Sequence, residues 1–384
     1  MKPFIVTPSG AGHPEDFLLE PTRFTPGSLL TSWNEVRTWR RCLLDCESEA
    51  RGRGFDLVHA HSFASGMAAV RNCPCVVYDV SRFVEEAASS TGVSSQTSWL
   101  GRSFRVAEQF AMTRAGAVVV HGTAIRRGAL ERGVAEENLF YIPDPLAEAV
   151  LEILRGPAPS SCNSKFSDEP GINFLAADFP WHGAEGPLSK ELEMLLEAFA
   201  HLRAEIPSCK PRLLLPVIPE LIGSLLERAR ALEIVNLVHP IGVTATAVAF
   251  VEADVIIAGS AHLNNENGTA GGSLSAAARG LIAGRAVLAA DCDANRDLSS
   301  RGRGLLWYRP DDARDLANRA AFLAANPDLR SALVASGRRM LVETRNPEAV
   351  GHAYDRAYQR AWLRRRSGGI ASGTATTLEP ITAV

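Results

Sequence analysis

The sequence predicts an α/β protein of two units, each a parallel sheet wrapped by helices, and three features carry that prediction. Short β-branched and aliphatic runs alternate with helical patterns from end to end, the order that builds parallel sheets covered on both faces. A stretch at 250–291 reads as strand, Gly-rich loop, Ala-rich helix and strand, which is half of a nucleotide-binding α/β domain. Between the halves lies RGPAPSSCNSKFSDEPG at 155–171, without periodicity and rich in Pro, Ser and Gly, which reads as a linker.

Taken in order, strands are expected at 4–7, 57–60, 75–80, 117–121 and 140–142 before the linker. After it they are expected at 173–176, 212–215, 235–238, 255–258, 286–289 and 304–307. Each is a short apolar run bounded by turn-forming residues, the mark of a buried strand. Helices are expected at 32–49, 102–114, 123–132, 190–204, 220–232, 246–252 and 274–283, from apolar spacing near 3.6. A further helix at 347–366 carries Val350, Tyr354, Tyr358 and Trp362 on one face, a docking face at this spacing. The expected organisation is a first domain at 1–154, the linker at 155–171, a second domain at 172–346, the helix at 347–366 and a disordered tail at 367–384.

Composition excludes several classes. With 46% apolar and 22% charged residues and a net charge of −3, the chain reads as globular, and nothing suggests a nucleic-acid partner. No apolar run reaches the length of a membrane span, and the first residues lack the pattern of a signal peptide. The helix at 32–49 holds Trp33, Trp39 and three arginines; it either packs on the sheet or touches a membrane surface. Seven irregularly spaced cysteines read as reduced thiols of a cytoplasmic protein. Cys42, Cys46, Cys73 and Cys75 lack the spacing of a zinc ribbon or finger, and no metal ligands are assigned.

Several segments together resemble retaining glycosyltransferases of family four. FDLVHAHSF at 55–63 is similar to that family's strand ending in His-Ala-His. AGAVVVHGTAIRRGALERGVAEENLFYIPDPL at 115–146 is similar to its strand, helix and Ile-Pro turn. KELEMLLEAFAHLRAEIP at 190–207 resembles the first helix of its second domain, and AFVEADVIIAGS, AGRAVLAAD and the segment from Arg303 to Met340 follow in the same order. The resemblance covers about residues 55–362. It implies the GT-B architecture: two facing Rossmann-like domains with parallel sheets, and the C-terminal helix returning to the first domain.

The activity implied is transfer of a hexose from a UDP- or GDP-sugar to a glycan or glycolipid acceptor, with retention and without metal. No tightly bound cofactor is implied. Partners implied are the nucleotide sugar, the acceptor and a second glycosyltransferase, with a cytoplasmic location and at most peripheral contact with the inner face of a membrane. By position in the family pattern, Lys190 is the phosphate-binding lysine. Thr269, Gly271, Gly272 and Ser273 form an anion-binding turn, since glycines let backbone amides approach a ligand. Val243 lies near the base and Glu266 is the sugar-facing carboxylate.

Three positions depart from the pattern. Asp178 stands where an arginine is expected, with His182 as a substitute donor. Arg279 stands where a glutamate is expected; it either contacts phosphate or faces solvent. Ser81 stands where a histidine is expected. His61 ends its strand at the edge where ligands meet such sheets, and is either catalytic or held by a local hydrogen bond; His59 and His121 carry the same ambiguity. These departures favour, as a second reading, a degenerate partner subunit or glycan-binding protein.

Overall fold

The computed structural model describes residues 5–7, 10–12, 34, 36–41, 56–90, 95, 98–158, 171–179, 188–205, 210–259, 275–299 and 302–369. By its contacts the chain divides into two compact units, 1–142 with 351–384, and 143–350.

In the first unit, strands β3 (Val58–Ala60), β4 (Val76–Val80), β5 (Ala117–Val120) and β6 (Leu139–Tyr141) form a parallel sheet in that order. Alternation assigns the faces. Val76, Tyr78, Val80, Val118 and Val120 join one buried cluster with helices α1 (Phe63–Asn72), α2 (Val84–Ser90) and α3 (Trp99–Arg114). Val77 and Asp79, out of phase with that set, take the other face. The chain continues through α4 (Thr123–Glu131). A capping box between Ser62 and Ser65 starts α1, satisfying amides left open at a helix start.

The second unit opens with α5 (Glu148–Arg155) and contains strands β7 (Ile172–Ala177), β8 (Pro211–Val217), β9 (Val238–Gly242), β10 (Val255–Ala258), β11 (Ala286–Ala290) and β12 (Leu306–Tyr308). These pair in parallel in the order β12-β11-β10-β7-β8-β9. Phe174, Leu213, Ile257 and Leu288 face one apolar cluster, and Leu175, Leu214, Ile256 and Val287 face the other. Both faces are dry, which is why these strands read as unbroken apolar runs. Helices α6 (Lys190–Glu205), α7 (Ile222–Ala231), α8 (Thr246–Glu252), α9 (Ala276–Ile282), α10 (Asp293–Leu298), α11 (Ala313–Ala325) and α12 (Pro327–Arg345) complete the unit.

Helix α13 (Pro347–Gly369) carries the chain from the second unit into the first. Ala357 and Ala361 are buried at its contact with the first unit's sheet, whereas Tyr354, Tyr358 and Trp362 are only half-buried. A Cβ on Gly116 would lie 2.8 Å from Ala361 Cα, so the approach depends on small residues on both sides. Arg364 Nη1 donates to Ala115 O at 2.6 Å and Arg360 Nε to Asn138 Oδ1 at 2.8 Å.

The structure corrects four sequence expectations. The run at 4–7 becomes a short strand, β1 (Ile5–Thr7), paired antiparallel with β2 (Gly10–Gly12) rather than joining the parallel sheet. The strand expected at 235–238 lies at Val238–Gly242; Pro240 is accommodated because β9 is an edge strand. The first domain gives up α5, because Arg338 of α12 donates to Gly156 O and Ile282 O at 3.1 and 3.0 Å and ties that helix to the second unit. The docking face of α13 is made by alanines as much as by aromatics. The expected tail beyond residue 369 lies outside the described residues, as does most of the linker.

Candidate active site

In the first unit the site forms around Asp79, a carboxylate inside the apolar strand VVYDV. Parallel register brings the carboxyl ends of β3, β4 and β5 together, the edge where ligands meet such sheets. His59 and His61 flank the end of β3, His121 follows β5, and Tyr354 and Tyr358 arrive on α13. His121 Nε2 donates to Asp79 Oδ1 at 2.6 Å, and its Nδ1 lies 2.7 Å from Ile142 O. The His121 ring thus bridges the Asp79 carboxylate and the backbone carbonyl of Ile142. Tyr354 Oη donates to Asp79 Oδ2 at 3.0 Å, and His61 Nδ1 and His59 Nε2 lie 3.5 and 3.6 Å from the same oxygen.

Burial works to raise the Asp79 pKa, but the hydrogen bond from His121 and the nearby imidazoles of His59 and His61 outweigh it and hold the carboxyl well below the usual range. Asp79 is therefore ionised although buried. Burial lowers the His59 pKa, with Asp79 opposing it. His61 is the exposed member of the group, at 67%, and so the one that reaches solvent over Asp79. Ser81 is exposed just beyond β4 and makes no part of the cluster.

A second carboxylate stands at a matching place in the second unit. Asp178 directly follows β7 with φ of 59°, a left-handed conformation that Asp tolerates better than most residues. A Cβ on Gly259 would lie 2.6 Å from Asp178 O, so a glycine is needed beside this turn. The turn directs Asp178 Oδ2 to the amide of Ala276, the first of α9, at 2.5 Å. Arg279 Nη2 donates to Asp178 Oδ1 at 2.9 Å, and the Arg279 guanidinium sits 4.8 Å from the Phe250 ring centroid. The two departures at 178 and 279 are thus one feature, a reciprocal pair. Arg279 is half-exposed but engaged by protein groups, rather than free in solvent.

Lys190 is exposed at the first position of α6, where Ser189 caps the helix by accepting from the Leu192 amide at 3.2 Å. Val243 begins a 3₁₀ turn after β9 and is exposed, as are Val248 and Val251 of α8. His182, Glu266, Thr269, Gly271, Gly272 and Ser273 lie outside the described residues. The structure therefore groups His61 with Asp79 and Arg279 with Asp178. Asp79 is the residue that sequence reasoning missed, and its signal was present: a charge inside an apolar strand is costly to bury unless paired.

Among the described residues no helix is long and apolar enough to cross a membrane, and Cys73, Cys75 and Cys292 are not in disulfides.

Residues 5–145 match the family model of the glycosyl transferase 4-like domain. No curated protein matches the chain in sequence. Among solved structures, a glycosyltransferase from Rickettsia africae is similar over 90% of this chain and 86% of its own, at 13% identity and TM-score 0.60. HepE from Anabaena in complex with UDP is similar over 85% and 81%, at 12% identity and TM-score 0.58. Sucrose-phosphate synthase from Thermosynechococcus elongatus covers 92% and 83%, at 18% identity and TM-score 0.50. With a parallel sheet in each unit, the chain has the GT-B fold of these solved structures, and its residues 5–145 are similar to the glycosyl transferase 4-like domain.

Proposed function

We propose that the chain transfers a hexose from a nucleoside-diphosphate sugar to a hydroxyl of a glycan or glycoconjugate, with retention. The observation that carries this reading is the convergence of His59, His61, His121 and Tyr354 on buried Asp79 at the strand ends of the matched domain. Support for the donor comes from the similar Anabaena protein, whose structures hold UDP, UDP with glucose, and UDP-glucose.

In this reading His61, poised over Asp79, meets the reacting sugar or the acceptor hydroxyl. Lys190 and the amides of Gly271, Gly272 and Ser273, with Thr269, hold the diphosphate and stabilise its departure without a metal. Glu266 faces the sugar, and exposed Val243 with its apolar neighbours on α8 packs against the base. Arg279, paired with Asp178, cannot accept hydrogen bonds from ribose hydroxyls as a glutamate would, so the ribose contact is weakened. Transfer is correspondingly slow, each lost charged contact costing about two orders of magnitude in rate. The location is cytoplasmic, at most peripheral to a membrane.

A second reading is favoured by one observation: the Asp178 carboxylate takes the first amide of α9, a group the donor's diphosphate would otherwise use. A chain built this way serves as a partner subunit of an active transferase or as a glycan-binding protein. Incubating the purified full chain with a panel of UDP- and GDP-sugars and glycan acceptors, alone and with a candidate partner transferase, separates the two. Product formed by the chain alone and lost in Lys190→Ala and Glu266→Ala supports transfer. Donor-independent stabilisation of another transferase, with no product of its own, supports the second reading.

A further inference from the structure

The geometry points to a metal site: His59, His61 and Asp79 of the first unit bind one divalent transition cation of the zinc class. The ligand set is two imidazoles and a carboxylate, not the cysteines of the chain. Asp79 Oδ2 lies 3.5 Å from His61 Nδ1 and 3.6 Å from His59 Nε2, and all three donor atoms fall within 4.8 Å of one another. Zinc bonds to nitrogen and oxygen of about 2.0–2.2 Å set tetrahedral ligands roughly 3.3–3.6 Å apart. Two edges of that tetrahedron are already in place, and rotation of the exposed His61 ring closes the third.

Protein hydrogen bonding alone leaves this arrangement incomplete. His59 Nε2 is buried without a hydrogen-bond partner, and 3.6 Å to a carboxylate oxygen is too long to be one. A cation between the two atoms gives the nitrogen lone pair its acceptor. The surroundings also match what orients metal ligands. His59 Nδ1 lies 3.0 Å from Tyr358 Oη; donating there fixes the tautomer that leaves Nε2 open to metal. Asp79 Oδ1 is taken by His121 and Oδ2 receives Tyr354, which pins the carboxylate while leaving Oδ2 a second lone pair. Nitrogen and carboxylate donors in this number suit zinc rather than magnesium, which prefers oxygen and keeps its waters.

Three protein ligands leave a fourth position, on the side of exposed His61, for water or a hydroxyl. Bound, the cation makes His61 a ligand, and the open position then faces the acceptor in its place. Metal binding does not rest on the transfer reading, because metal is measured without donor or acceptor.

The test is calorimetric titration of the chelator-stripped full chain with zinc chloride and, separately, magnesium chloride. One equivalent of zinc should bind, without magnesium, and His61→Ala should weaken it more than about 100-fold. His61 is exposed, so that variant should fold, which far-ultraviolet circular dichroism checks. Tyr358→Phe should weaken zinc binding roughly tenfold by releasing the His59 tautomer. Absence of zinc binding, or zinc binding that survives His61→Ala unchanged, would overturn the inference.

Discussion

Asp79 and Asp178 make a natural comparison, because each is a carboxylate at the carboxyl end of a parallel strand. Asp79 is surrounded by three histidines and a tyrosine drawn from two neighbouring strand ends and a distant helix. Asp178 is answered by one backbone amide and one arginine from the same short helix. The first arrangement keeps titratable, ligand-capable groups gathered around a charge. The second neutralises its charge locally with groups that neither titrate near neutrality nor bind metal. The first unit thus gathers titratable groups around its carboxylate, while in the second unit the carboxylate and an arginine satisfy each other.

The largest effect should come from removing the buried charge. Asp79→Ala leaves His121, His59 and Tyr354 without the buried carboxylate on which they converge, and breaking such a buried polar network costs about 3 kcal/mol or more. Urea unfolding should show the loss, and Asp79→Asn should recover only part of it. An unchanged midpoint would mean that the histidines do not lean on Asp79.

A second prediction sharpens the contrast through pH. Glu108 in α3 is fully buried; burial pushes its pKa up to about 8, although the Val84 amide and Tyr78 hydroxyl both approach its oxygens. Its folded pKa lies above the unfolded value near 4.5, so the folded state holds the proton longer. Stability from this group is full below about 4.5 and is lost as pH rises through 8, with a slope of up to about 1.4 kcal/mol per pH unit. Glu108→Gln should flatten that slope, its amide oxygen keeping an acceptor for the Val84 amide. A slope that persists in the variant would place the titration elsewhere.

The smallest change is expected at the second carboxylate. Asp178→Ala removes a helix-capping acceptor and should cost about 1 kcal/mol, well below the loss at Asp79. A loss equal to that at Asp79 would erase the distinction drawn between the two sites.

Much of the fold was legible because local and long-range signals agree. The strand at Val255–Ala258 and the helix at Thr246–Glu252 fall where the sequence places them, each an apolar run cut off by turn residues. Helix α1 carries a weak sequence signal because FASGMAAVRN mixes Ser, Gly and Ala, a composition whose helicity comes from packing, as where Gly66 meets the Tyr78 ring, rather than from propensity. The Asp79 cluster was hidden for a different reason. His59, His61 and His121 were each visible as single residues, but their meeting depends on register between strands, and Tyr354 joins from 275 positions away. Asp178 and Arg279, read singly, were two losses; their opposite charges were the clue that they answer each other.

Calorimetric titration of UDP into the wild-type chain and into Asp178→Ala tests the proposed nucleotide-sugar site and its partial closure by Asp178. The account predicts weak binding to the wild type, abolished by Lys190→Ala. It predicts binding roughly fivefold tighter once the repelling carboxylate is gone, about 1 kcal/mol. Absence of UDP and GDP binding by both the wild type and Asp178→Ala would contradict it.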